Sequence, residues 1–121
     1  MKQRVKNVSY LCVVALNASD LSLEAKDIVA LPKGAEVLSV DVQVLEKFSD
    51  TAKLDIGLNE NANFFANDIA LSLAGSSARC NPCASLKEQG TITALLNEKV
   101  ATGKVIIRVH YFLPSEIMVE Y

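Results

Sequence analysis

Two stretches of apolar–polar alternation constrain this chain more than anything else in it. Val37–Phe48 reads VLSVDVQVLEKF, with Leu38, Val40, Val42 and Val44 on one side and Ser39, Asp41 and Gln43 on the other. Val105–Phe112 reads VIIRVHYF, with Val105, Ile107, Val109 and Tyr111 in the same period. A period of two belongs to a half-buried strand in a sheet and is incompatible with a helix face. Three further segments support a sheet. Val8–Leu16 is a continuous apolar run with β-branched and aromatic members, which predicts a well-buried strand. Lys53–Leu58 alternates through Leu54, Ile56 and Leu58, and Gly57 inside it predicts a bulge. Ile117–Tyr121 predicts a terminal strand or a partner-binding tail.

The turn signals fall between these segments. Asn17–Asp20 and Leu31-Pro-Lys-Gly34 are turns, the second because proline presets φ and glycine accepts a positive φ. Asn59–Asn63 predicts a polar loop, Phe64–Leu73 a turn followed by a strand, and Ala74–Asn81 a loop of small residues. Ala84–Glu88 and Gly90–Leu96 predict a pair joined through Gln89-Gly90. Leu21–Leu31 is open between a short helix starting at Ser22 and an extended segment. About eight strands at this spacing predict an all-β fold, a single-domain antiparallel β-sandwich or jelly roll over residues 1–121.

At 121 residues and 50% hydrophobic, the chain suffices for one core and falls short of two. Its net charge of -2 gives no overall pull toward nucleic acid. The one basic cluster, Lys2, Arg4 and Lys6, alternates with Met1, Gln3 and Val5, so residues 1–7 read as an extended arm able to grip an acidic neighbour. The apolar runs Tyr10–Leu16 and Ile28–Leu31 fall far short of the ~20 residues a spanning helix needs. Asn17–Asp20 makes a poor leader cleavage site. The expectation is a protein made in the cytoplasm, without membrane or nucleic-acid partners, that later joins something.

The candidate chemistry is sparse. Cys80-Asn-Pro-Cys83 has the spacing of half a zinc site, and Cys12 and His110 are the other ligands that could complete it. Both lie in predicted strands, so Cys80 and Cys83 are weak metal candidates and a reversible local disulfide is the alternative. His110, the only histidine, shares a face with Arg108 and Phe112, and no base–nucleophile partner is nominated for it. The carboxylates Asp41, Asp55, Glu60 and Asp68 are scattered, and none of the five glycines forms a phosphate-cradling pattern. The expectation is no enzyme and no cofactor. In a strand, adjacent Phe64 and Phe65 point to opposite faces, so one is a candidate anchor at a subunit contact. With Lys2, Arg4, Lys6, Ile117, Met118 and Tyr121, they form the candidate partner-binding set.

Three motifs together resemble small structural proteins of tailed bacteriophage heads. Leu31-Pro-Lys-Gly-Ala-Glu-Val37 matches an L-P-x-G-A-x-V turn into a long strand. Ala52–Gly57 (AKLDIG) matches a hydrophobic strand ending in D-x-G. Thr102-Gly-Lys-Val-Ile-Ile-Arg-Val-His-Tyr111 matches a T-G-x-V-x-V-x-V-x-Y closing strand. The resemblance covers Leu31 to Tyr111, about two-thirds of the chain, and the Cys80–Cys83 loop departs from it. It implies a β-sandwich or jelly-roll virion protein that decorates or cements the outside of the capsid as a homotrimer bridging capsomers, its partners being the major capsid protein and itself. It brings no catalytic residues. Other readings are a head-fibre base, a tail-associated sandwich, or a soluble ligand- or glycan-binding β module.

Overall fold

The structure, a computed structural model, describes the backbone of residues 2–120 and the side chains of residues 9–113. Nine strands run in order: β1 (Lys2–Asn17), β2 (Lys26–Leu31), β3 (Glu36–Glu46), β4 (Lys53–Leu58), β5 (Asn61–Ala70), β6 (Ser77–Cys80), β7 (Ala84–Ser85), β8 (Gly90–Leu96) and β9 (Lys104–Glu120). A single turn of 3-10 helix, Ala18–Asp20, joins β1 to β2. One sheet has the order β1-β9-β3-β6, with β7 also on β3, and the other has the order β2-β8-β4-β5. Every pairing is antiparallel. Successive strands mostly switch sheets, and β6 and β7 share one strand's place along β3. This order is that of a jelly roll, two four-position sheets wound together.

The alternation does what its period demands. Val40, Val42 and Val44 of β3 and Val105, Ile107 and Val109 of β9 are all essentially inaccessible, as are Leu54 and Ile56 of β4 and Ile92, Ala94 and Leu96 of β8. These side chains interleave between the sheets as the core. Gly103, at φ +145°, leads into β9, and its carbonyl accepts the Ala18 amide at 2.9 Å. A Cβ there would sit 2.6 Å from the ring of buried Phe48, so no larger residue fits this turn.

The structure corrects five expectations. Leu38 is out of phase with Val40, because the β3–β9 register shifts between Val37 and Ser39 and puts fully buried Val37 in the core instead. Val8–Leu16 is not a well-buried strand. β1 is the edge of its sheet, and Leu11 and Val13 lie exposed on the outer side, 62% and 55% accessible. The Asn59–Asn63 loop shrinks to a two-residue turn at Asn59-Glu60, since β5 begins at Asn61. Ala74–Asn81 contains β6, which small residues permit because it completes a sheet edge against β3. Ala84–Glu88 and Gly90–Leu96 do not pair. Buried Leu86 carries the chain across the core, leaving β7 on β3 and β8 between β2 and β4. The open Leu21–Leu31 segment resolves as extended, and the bulge expected at Gly57 coincides with a break in the β4–β5 register between Ile56 and Leu58.

One carboxylate ties two turns together at the end of the sandwich. Ser49 Oγ and Thr51 Oγ1 donate to Glu98 Oε1 at 2.5 and 2.7 Å, and Ser49 Oγ in turn accepts the Ala52 amide at 2.9 Å. The hydroxyl bonds of Ser49 and then Thr51 hold the Glu98 carboxyl below its ordinary pKa. A depressed folded-state pKa means that the stabilisation is complete above the ordinary glutamate range and disappears as pH falls through the folded value. Melting temperature is therefore expected to drop between about pH 5 and about pH 3, and to drop less steeply in Glu98→Gln. Identical slopes for the two proteins, followed by circular dichroism, would remove Glu98 from the acid response.

Candidate interaction face

The outer side of the β1-β9-β3-β6 sheet carries a set of polar side chains bonded to one another across strands. The register lays Leu11, His110 and Ser39 in one row and Val13, Arg108, Asp41 and Arg79 in the next. Because alternate residues of a strand share a face, Ser9, Leu11 and Val13 of β1 lie beside Arg108, His110 and Phe112 of β9. The shared face of Arg108, His110 and Phe112 was legible from their spacing. Leu11 and Val13 were not, since a run of uninterrupted apolar residues has no phase.

Three side-chain pairs on this face reach across strand boundaries. Arg79 grips Asp41 with two parallel bonds, Nε to Oδ1 at 2.9 Å and Nη2 to Oδ2 at 3.0 Å. Those hydrogen bonds, with the charge behind them, hold the Arg79 guanidinium more firmly protonated. Arg108 Nη1 donates to Gln43 Oε1 at 2.9 Å. His110 Nε2 lies 2.6 Å from Ser9 Oγ, and its ring leans toward Phe112 with centroids 5.3 Å apart. Ser9 is the partner for His110 that spacing did not nominate. The pair has the two atoms of a nucleophile–base relay, but it stands on the open face of a sheet. Among the described residues no carboxylate hydrogen-bonds the ring to orient it. As placed, the two side chains staple β1 to β9.

The cysteines do not converge. Cys12 follows the inward phase of β1, half-buried opposite Val109, whereas His110 faces outward on β9. Cys80 ends β6, half-buried, and Cys83 is exposed at φ +48° in the link to β7. Burial, and then the charge of Asp41, push the Cys80 thiol up, opposite to what a metal-ligating or redox-active thiolate requires. Among the described residues no three His, Cys, Asp or Glu side chains are close enough to share a metal ion. Burial likewise raises the Tyr111 hydroxyl, whose ring stacks on Tyr10 at 5.2 Å.

Of the candidate partner-binding residues, Phe65 is buried in the core and Phe64 stands 47% exposed, edge-on to it at 5.0 Å. The backbones of Lys2, Arg4 and Lys6 continue β1 against β9, opposite Glu120, Met118 and Ser115, and Ile117 falls in the same stretch of β9 at a shift in register. The side chains of Lys2, Arg4, Lys6, Ile117 and Met118, and Tyr121 altogether, lie outside the described residues. Among the described residues no helix is long and apolar enough to cross a membrane.

No protein-family model and no curated protein matches the chain. Solved structures do. A chain in the acid-stable capsid structure of Helicobacter pylori bacteriophage KHP30 superposes with a TM-score of 0.82 at 28% identity, covering 100% of both chains. A chain of the cyanophage Pam1 capsid asymmetric unit gives 0.63 at 22% identity, covering 89% of this chain and 85% of that one. A chain of the Ralstonia phage GP4 capsid gives 0.67 at 13% identity, over 93% and 86%. The last two carry the fold alone. The resemblance to structural proteins of phage heads is thus matched by structural neighbours that come from phage capsids, and the KHP30 match supports a virion structural protein.

Proposed function

We propose that this chain is a non-enzymatic decoration or cement protein of a tailed-phage head. It sits on the outside of the capsid shell as a homotrimer, bridges neighbouring capsomers and holds them against outward pressure. The observation that carries this reading is the end-to-end match, at 28% identity, to a chain of a phage capsid. The fold suits the role. Two sheets packed face to face make a stiff body, and the load-carrying contacts are left to edges and exposed side chains. Many copies, each with a modest contact, add their attachment through avidity. In this reading the chain is made in the host cytoplasm and joins the major capsid protein after the shell forms. Phe64, Lys2, Arg4, Lys6, Ile117, Met118 and Tyr121 are the side chains assigned to partner contacts, with Phe65 supporting Phe64 from the core.

The test uses capsid shells prepared without this protein and the purified chain added back. The chain is expected to sediment with the shells, to raise the temperature at which they rupture, and to appear on their outer surface in labelled electron micrographs. A chain that stays in the supernatant, or whose label falls on the tail or inside the shell, overturns the assignment.

A further inference from the structure

We draw no further inference here: the strongest candidate, the exposed apolar stripe of Leu11 and Val13 along the edge strand β1, carries nothing because nothing in the structure shows what covers it.

Discussion

Gly57→Val is expected to yield little or no folded protein, and to cost about 3 kcal/mol or more in whatever fraction folds. The cause is backbone rather than side chain. A Cβ at Gly57 would lie 2.6 Å from the Cα and carbonyl carbon of Ala62, and closer still to the Asn61 carbonyl oxygen. A side chain in that position could rotate aside, but Asn61 and Ala62 are the first residues of β5, fixed by the tight Asn59-Glu60 turn and by pairing with β4 itself. Relief would require separating β5 from β4, and β5 carries Phe65 and Ala66 into the core. Urea unfolding followed by circular dichroism measures the effect. A stability within about 1 kcal/mol of wild type, at an unchanged slope, would show that β5 does not approach β4 this closely.

Ile107→Ala is the second large effect, at about 2–5 kcal/mol. Ile107 is fully buried near the start of β9, with Val14 on one side and Val42 on the other. Truncation removes three methyl(ene) groups from a site whose walls are strands locked on both edges, so collapse around the vacancy is limited. Ile106→Ala is the internal control. It sits one residue away on the opposite, half-exposed face, between Ala15 and Gln43, and is expected to cost about 1 kcal/mol or less. The same chemical change in neighbouring residues should thus differ severalfold. Equal losses for the two would mean that the sheet does not present these faces as assigned.

The period of two was enough to find the core. Val40, Val42, Val44, Ile107 and Val109 announce themselves because polar residues separate them, Val105 joins them by keeping the same period across Ile106, and all six are buried. Where that contrast is absent, the reading fails for a definable reason. Val8–Leu16 contains almost no polar residue, so neither its exposed face nor its edge position could be inferred, and the candidate interaction face lost half its members. β6 went unseen because Ser77 and Ala78 have little strand preference of their own and are held by their pairing to β3. β7 and β8 were joined wrongly because a turn-like Gln89-Gly90 says nothing about which sheet each flank belongs to. Arg108 and His110 were legible as neighbours, whereas the Ser9–His110 contact spans 101 positions and exists only once β1 lies on β9.

That last pairing has a consequence for how the molecule is made. β9 lies between β1 and β3, yet it is translated after all eight other strands. A nascent polypeptide halted anywhere before Lys104 holds both flanks of a sheet with nothing between them, and β1 has no partner of its own. Closure of the larger sheet must therefore wait on the ribosome, and interrupted synthesis products are marked as defective by their own gap. Such a gap acts as an inspection step, since only chains translated through β9 can complete the sheet.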